Sequence, residues 1–314
     1  RWLKTHRVDI PARHREMRTV LEITCASLPA DAQRLLRQMA VVPAAWSADT
    51  LREIFYTEAP ADSLLESLES LLGAGLIQRV AANGAVLFRM LEVVREHALE
   101  QMTPDEQRAC RSQIAAWVCV QADARRAQSR TEQLPQWLAF WDAHRECLQD
   151  ALQLLLEQMQ TETLFELIVS LDRYFLARCV LPWVEAFLTQ AIQLPNGTPL
   201  MRCRLLRLLT GVYFKRESFE TSRALAHEML ALAETLPESP ETLGWALYWV
   251  VQHALTERDW ATVHHYWERL WSMYPCHEDF ELHIQIHYLA GYIPCERQPP
   301  DWRAAGLRRL RPRW

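Results

Sequence analysis

The sequence has little glycine and almost no lysine. Only 8 of its 314 residues are glycine, which argues against a fold of many tight turns and favours long helices rich in Leu, Ala, Glu and Arg. The cations are two lysines, Lys4 and Lys215, and 32 arginines, and the formal net charge is −5. A net negative chain is not expected to coat nucleic acid, because nonspecific affinity rises with the number of phosphates that a protein neutralises.

Long apolar runs and paired cysteines are also missing. No run approaches the roughly 18 apolar residues of a membrane-spanning helix, and no charged-then-apolar leader opens the sequence. We therefore expect a cytoplasmic protein without membrane contact. None of the cysteines forms a CxxC pair, which predicts reduced thiols in helix cores; they are Cys25, Cys110, Cys119, Cys147, Cys179, Cys203, Cys276 and Cys295.

Signatures of catalytic and metal sites are absent as well. The sequence contains no GxxxxGK[ST] phosphate-binding loop, no GxSxG and no HExxH. His283 and His287 lie one helical turn apart, and Cys276, His277 or Cys295 could add metal ligands, but ordinary packing is the preferred interpretation. We expect a non-enzymatic chain with no catalytic residue, metal or cofactor of its own.

The first hundred residues alternate helices with one predicted hairpin. Apolar spacing predicts a helix over 13–27, a second from Asp31 that stops at Pro43, a third capped by Ser47, and a fourth capped by Asp62 or Ser63. That fourth helix is expected to end at 73–75. Two short apolar runs then flank Asn83-Gly84, and Asn-Gly favours the positive φ angles of a type I′ hairpin turn. Helix, hairpin and helix in succession predict a winged-helix module.

Helices continue beyond this module. Thr103, Pro104 and Glu106 form a complete helix start, with a capping hydroxyl, a proline at the first position and an acid in the first turn. It predicts a helix over about 104–126. A second helix is expected to run without interruption from Leu134 to Gln158.

Helix pairs then repeat. Val180, Phe219 and Trp260 are each expected to open the second helix of a hairpin, with spacings of 39 and 41 residues. The stretch RDWATVHHYWERLWSMYP follows the tetratricopeptide pattern, with Val263 at a close-packing position and Pro275 at its end. The equivalent positions of the preceding unit are Phe219, Ser222, Ala226 and Met229, and those of the first unit are Val180, Trp183, Phe187 and Pro195.

An aromatic cluster in the repeats is the candidate recognition surface. Trp and Tyr favour such surfaces because they combine a large contact area with a polar group. Packing between helices is the competing interpretation for each residue. The cluster comprises Trp245, Trp249, Tyr266, Trp267 and Trp271.

Together these patterns predict a mainly all-α fold, in which a winged-helix domain with a small β-hairpin precedes a tetratricopeptide-like α-solenoid. The expected divisions are an N-terminal linker (1–12), the winged helix (13–103), a helical connector (104–160), the repeats (161–291) and an irregular tail (292–314).

The segments DIPARHREMRTVLEITCASLPADAQRLLRQMAVVPAAWSADTLREIF, LLESLESLLGAGLIQRV and FRMLEVVREHALEQM resemble the winged-helix part of bacterial STAND-type (NB-ARC-like) signal-transduction ATPases. The resemblance covers 9–103 by motif and 137–195 by the helices that follow. It implies the regulatory part of a transcriptional or signalling regulator. In such proteins the winged helix packs on an ATPase or output domain, and the repeats bind a protein, peptide or small inducer. ATP or ADP is expected on an ATPase domain that this chain does not contain.

The resemblance also points to one sensor position. Many relatives have Met-His-Asp at the start of the last winged helix, where it senses bound ADP; here the position is Met90, Leu91 and Glu92. Leucine cannot donate to a phosphate, so direct nucleotide sensing is not expected there, although Glu92 could still cap or pair.

Two alternatives remain open from the sequence. A DNA-binding winged helix would have Arg79 and Arg89 on its wing, but the preceding helix carries Asp62, Glu66 and Glu69 and no cation, which would repel phosphates. The other alternative is a passive scaffold for protein interactions.

Overall fold

The structure, a computed structural model, describes residues 12–57, 60–82, 85–236, 238–273 and 280–293. These residues form sixteen α-helices, a short 3-10 helix over Arg126–Arg130 and one hairpin, which confirms the mainly all-α fold class. No helix in these ranges has the length and apolarity needed to cross a membrane. The helices are α1 (Ala12–Ala26), α2 (Ala30–Ala40), α3 (Ala48–Phe55), α4 (Ala61–Gly73), α5 (Glu92–Glu100), α6 (Pro104–Arg125), α7 (Leu134–Ala143), α8 (Arg145–Glu157), α9 (Thr161–Ser170), α10 (Asp172–Ala177), α11 (Pro182–Ala191), α12 (Pro199–Lys215), α13 (Phe219–Ala233), α14 (Pro240–Glu257), α15 (Trp260–Met273) and α16 (Phe280–Tyr292).

The chain divides into two compact units, Arg1–Leu167 (unit 1) and Ile168–Trp314 (unit 2). The division falls inside α9. The finer boundaries expected from the sequence stay predictions. Outside the described residues lie residues 1–11 of the predicted linker, Asn83-Gly84, Pro275, Cys276, His277, Cys295 and most of the tail.

Unit 1 contains the element order expected of a winged helix. Strands β1 (Ile77–Ala82) and β2 (Ala85–Met90) are antiparallel, and their register, Ala82 opposite Ala85, brings the chain back across the predicted turn. Trp46, between α2 and α3, adds an isolated bridge to Phe88 through both backbone hydrogen bonds, of 2.9 and 2.7 Å. The indole of Trp46 is 1% exposed and donates to the carbonyl of Met39.

Two of the predicted helix caps are confirmed. The hydroxyl of Ser47 accepts from the backbone N–H of Thr50, and Thr103 and Glu106 form a reciprocal capping box. The expected cap at Asp62 or Ser63 is wrong. Helix α4 begins one residue after the extended Pro60, so Asp62 lies in the first turn and makes no cap.

The uninterrupted helix predicted from Leu134 to Gln158 is also wrong. The chain breaks at His144, whose backbone (φ −112°, ψ 23°) separates α7 from α8. The imidazole packs 4.4 Å from the Phe140 ring and 5.1 Å from the Trp117 indole, centroid to centroid. Its Nδ1 lies 2.8 Å from the Phe140 carbonyl. A tertiary contact therefore overrides a local helical pattern.

Unit 2 is a series of helix pairs. The predicted starts of second helices at Phe219 and Trp260 are confirmed, while the start expected at Val180 is wrong, because α11 begins at Pro182. Proline at the first helical position fixes φ and sacrifices no helical hydrogen bond. The predicted close-packing positions are buried to 1% exposure or less at Ser222, Ala226, Met229, Val263 and Trp267.

Candidate functional site

A band of polar and aromatic side chains connects the first helices of successive pairs in unit 2. These helices are α10, α12, α14 and α16, and each packs against the next. We call this band the first-helix face. Its members are Asp172, Arg173, Arg207, Trp245, Tyr248, Glu281, Gln285, Tyr288 and Tyr292.

Arg207 links three helices of this face. Its guanidinium donates to Asp172 Oδ2 at 3.1 Å and lies 4.7 Å from the centroid of the Trp245 ring. Asp172 is only 7% exposed, and its other oxygen accepts from the backbone N–H of Arg173 at 2.6 Å. The planar guanidinium suits this arrangement because it can pair with a carboxylate and stack on an aromatic ring together.

The last described helix joins the face through two polar contacts. The Tyr248 hydroxyl donates to Gln285 Oε1 at 3.0 Å, and Arg173 pairs with Glu281 at 3.3 Å. Burial, with the charges of Tyr288 and Glu281, raises the pKa of Tyr248. Tyr248 therefore remains a neutral hydrogen-bond donor at physiological pH.

Two tyrosines form the exposed part of the first-helix face. Tyr288 and Tyr292 are 55% and 62% exposed. They lie one helical turn apart, with ring centroids separated by 4.9 Å and hydroxyl oxygens by 2.9 Å. Exposed tyrosines on a structured helix are typical of binding surfaces, because such side chains supply large contact areas at small entropic cost.

The structure divides the aromatic cluster predicted from the sequence. Trp267 is 0% exposed, and Trp245 and Trp271 are also buried in the core of unit 2. Trp249 and Tyr266 are partly buried against the same core. Trp249 packs where Gly211 leaves space, since a Cβ at that glycine would lie 3.4 Å from the indole. Within the cluster, Trp245 contacts Arg207 and Tyr248 of the first-helix face, and Trp249 packs on Tyr248 with ring centroids 5.2 Å apart.

Sequence reasoning missed Asp172, Arg207, Tyr288 and Tyr292. The two tyrosines had a signal, because HIQIHYLAGY places them four residues apart on one helical face. Asp172 and Arg207 had no such signal, because the two residues of this contact are 35 positions apart in the sequence.

The residues at the predicted sensor position lie where the hairpin meets α5. Met90 ends β2, Leu91 is the N-cap of α5 and makes no side-chain cap, and Glu92 begins the helix. Hydrogen bonds from Arg95 lower the pKa of Glu92. Arg95 also approaches the carbonyl of Ala40 at 3.4 Å, so Glu92 holds a contact between α5 and the end of α2.

The two candidate DNA-binding arginines are separated. Arg79 is opposite Phe88 and Arg89 is opposite Gln78, so the arginines lie on opposite faces of the hairpin. Both are exposed. They therefore form no joint phosphate-binding patch.

A polar contact ties α3 to α6. The Trp117 indole on α6 donates to Glu53 Oε2 on α3 at 2.8 Å, and Gln121 donates to the same oxygen at 3.2 Å. His144 extends this contact. Its Nδ1–H donates to Phe140, so its Nε2 accepts from the Thr50 hydroxyl at 3.2 Å. Burial lowers the pKa of His144 and favours this neutral form.

Replacing Glu53 by alanine is expected to lower the free energy of unfolding of unit 1 by about 1–3 kcal/mol, because the buried indole N–H of Trp117 loses its acceptor. Glu53→Gln keeps an acceptor oxygen and is expected to cost about 1 kcal/mol or less. Urea unfolding followed by tryptophan fluorescence measures both variants. Equal losses would contradict the hydrogen-bond account.

Unit 2 also buries a serine beside a histidine. The Ser222 hydroxyl donates to the Thr210 carbonyl at 2.8 Å, so the 2.9 Å contact with His253 requires His253 Nε2–H to donate to Ser222. Desolvation lowers the pKa of His253 to about 4. The pair is fully enclosed, and its serine proton is directed to the backbone. This geometry supports packing and is unlike a nucleophile beside a base.

The described cysteines are candidate nucleophiles, and the histidine pair of α16 is a candidate metal site. The six described cysteines are free, and burial raises the pKa of Cys147 to about 12 and of Cys203 to about 11. Both therefore remain protonated thiols. His283 and His287 lie on α16, and within the described ranges no three His, Cys, Asp or Glu side chains are placed to share a metal ion.

Comparison with known proteins gives one distant likeness. No protein-family model and no curated protein matches the chain. Among solved structures, the chain is similar to a Signal Transduction ATPase with Numerous Domains (STAND) protein with a tetratricopeptide repeat sensor from Pyrococcus horikoshii, with 14% identity and a TM-score of 0.32. The match covers 90% of this chain and 50% of that protein, so the chain spans about half of its length.

Proposed function

We propose that this chain is a non-catalytic regulatory and sensor portion of a STAND-type signalling or transcriptional regulator. Its repeats bind a protein, peptide or small inducer, and its winged helix relays occupancy to an ATPase or output domain. ATP or ADP belongs to that other domain. The observation that carries the proposal is the first-helix face, where a held arginine, a buried tryptophan and two exposed tyrosines occur together.

The chemistry of this face favours recognition over reaction. Arg207 is already neutralised by Asp172, and the Tyr248 hydroxyl is engaged with Gln285. Tyr288 and Tyr292 are the members with the largest free surface. A partner would bury their rings first, which is the pattern of an aromatic hot spot.

The relay to the rest of a regulator is supported by the packing of unit 1. Helix α3 of the winged helix contacts α6 through Glu53 and Trp117, and α6 contacts α8 through Arg111, which pairs with Asp150 and Glu157. A preference of a bound ligand for one arrangement, worth about 1–3 kcal/mol, is enough for an allosteric switch.

Site-specific photo-cross-linking tests the recognition surface. A benzophenone amino acid is placed at Tyr288 of the full chain, and at His264 as a control of similar exposure (58%) on the second helix α15. We expect one predominant partner to be cross-linked from position 288 in an extract of the source cells, and not from position 264. Equal yields at both positions, or only self-cross-linking at 288, would contradict the proposal.

Duplex DNA is not an expected partner. Helix α4 exposes Asp62, Glu66 and Glu69 and has no cation, so it repels phosphates. Fluorescence anisotropy with a labelled random duplex at physiological salt should show no saturable binding. Tight, salt-dependent binding that is lost in the double variant R79Q/R89Q would favour a DNA-binding winged helix instead.

A further inference from the structure

The first helices of unit 2 stack on one another by a repeated rule. Helices α12, α14 and α16 begin at Pro199, Pro240 and Phe280, so equivalent positions are 41 and then 40 residues apart. A residue of one first helix contacts the residue that lies three positions before its own equivalent in the next first helix.

Two side-chain contacts follow this rule. Arg207 lies over the ring of Trp245, and the equivalent of Arg207 in α14 is Tyr248. Tyr248 in turn donates to Gln285, and the equivalent of Tyr248 in α16 is Tyr288. Tyr288 therefore occupies the position that, in both preceding first helices, contacts the next helix of the stack.

A third contact places Tyr292 in the same way. Gly211 leaves space for the indole of Trp249, which lies three positions before Gln252, the equivalent of Gly211 in α14. The equivalent of Gln252 in α16 is Tyr292. Both exposed tyrosines of the first-helix face are thus at positions where a further helix would pack.

Burial at these equivalent positions supports the same interpretation. Cys203 in α12 and Gly244 in α14 are buried, whereas their equivalent in α16, Ile284, is 45% exposed. Tyr248 is buried and Tyr288 is exposed. We call Ile284, Tyr288 and Tyr292 the open row of α16, since α12 and α14 have the corresponding row covered.

The composition of α16 is unusual for a helix with a solvent-exposed side. A surface helix normally has charged or polar residues opposite its buried face. Helix α16 contains no lysine or arginine, and its one acid, Glu281, is paired with Arg173. The open row itself offers an isoleucine and two tyrosines and no charge.

We infer that the open row binds an α-helix of a partner protein, which docks on α16 as a further first helix would. This inference rests on the proposed recognition function of the first-helix face and names the chemistry of its partner. The partner helix has an uncharged stripe with residues three and four positions apart. Opposite Tyr288 it carries a hydrogen-bond acceptor, as Gln285 is for Tyr248.

A second copy of the chain does not offer this helix from α14 or α16. The residues of these helices that would dock, Trp245 and Gln285, are already in contact with Arg207 and Tyr248 of their own chain. The stacking contact also joins different positions of the two helices. A two-fold dimer needs the same patch on both subunits, so two copies could not complete this contact as a closed pair.

Fluorescence anisotropy of the full chain with a labelled helical peptide tests the inference. The peptide has the sequence of residues 280–293, and a hydrocarbon staple replaces the side chains of His283 and His287. His287 contacts Trp271 of α15, so the staple leaves the row with Gln285 free to dock. We expect saturable binding with a Kd of about 100 μM or tighter. The unstapled peptide with proline in place of Ile286 should not bind, because proline breaks the helix.

Variants of the chain locate the binding. Y288A/Y292A should weaken it by at least about tenfold, whereas H264A/E268A, on the exposed side of α15, should leave the Kd unchanged. Tyr288→Phe isolates the hydrogen bond. It should weaken binding by about fivefold, and this loss should vanish when the peptide carries Gln285→Leu.

Several results would overturn the inference: no saturable binding of the stapled peptide, equal binding of the proline peptide, or equal losses in the two double variants. Sedimentation of the chain alone provides a further check. A dimer that Y288A/Y292A abolishes would assign the open row to a second copy and would also overturn the inference.

Failure of this inference is distinguishable from failure of the proposed function. If position 288 cross-links a partner but the stapled peptide does not bind, the recognition surface stands and its partner is not a helix. If the peptide binds as expected but no partner is cross-linked, the open row accepts a helix and the proposed cellular recognition fails.

Discussion

Truncation of Trp267 to alanine is expected to lower the free energy of unfolding of unit 2 by about 3–5 kcal/mol. The side chain is 0% exposed and lies in the core with Trp271, 5.5 Å away between ring centroids. Its removal leaves a large cavity that the surrounding helices cannot fill. Chemical denaturation followed by circular dichroism measures the loss. Since most small domains have only about 5–15 kcal/mol of stability, unit 2 would be close to unfolding.

The adjacent Tyr266 provides the matched control. It is only partly buried against the same core, so Tyr266→Ala is expected to cost about 1–2 kcal/mol. A small effect of Trp267→Ala together with a large loss of partner binding would show that Trp267 acts in recognition and not in packing.

Acidification is expected to destabilise unit 2 through His253. Burial lowers its pKa to about 4, against 6.5 for an exposed histidine, and its neutral ring donates to Ser222. Between these values the unfolded chain binds more protons than the folded one, so stability rises with pH. The contribution of His253 is complete above pH 6.5 and decreases as the pH falls towards 4, by about 3 kcal/mol in all.

The difference between the native protein and His253→Gln isolates this contribution. Glutamine can still donate to the Ser222 hydroxyl, but it does not titrate. Burial also lowers the pKa of His144 and His287, and their effects cancel when the two proteins are compared. Between pH 7 and pH 4.5 the native protein should lose more stability than His253→Gln, so the urea midpoints of the two proteins should approach each other. A constant difference across this range would show that His253 does not carry the pH dependence.

Local signals in the sequence predicted much of the fold. Ser47 and Thr103 were predictable as caps because capping depends on neighbouring backbone groups. Gly75 ends α4 with φ +69°, which agrees with the helix end expected at 73–75. The spacing of Phe219 and Trp260 was sufficient to place two helix starts.

Features that depend on distant partners were not predictable. At the break, His144 contacts Thr50 and Trp117, which are far away in sequence. Likewise, the sequence could not separate the buried Trp267 from aromatic residues available for binding, because both kinds share helical spacing. The exposed pair Tyr288 and Tyr292 was overlooked in favour of tryptophans that pack the core.

The most direct test of the proposed recognition function is the affinity of the cross-linked partner for two double variants. Y288A/Y292A removes the exposed tyrosines, whereas H264A/E268A removes a pair with the same spacing and similar exposure on α15. We predict that the tyrosine variant binds at least about tenfold more weakly, as expected for a hot spot, and that the control binds like the native protein. Unchanged affinity in the tyrosine variant, or equal loss in both, would contradict recognition through the first-helix face.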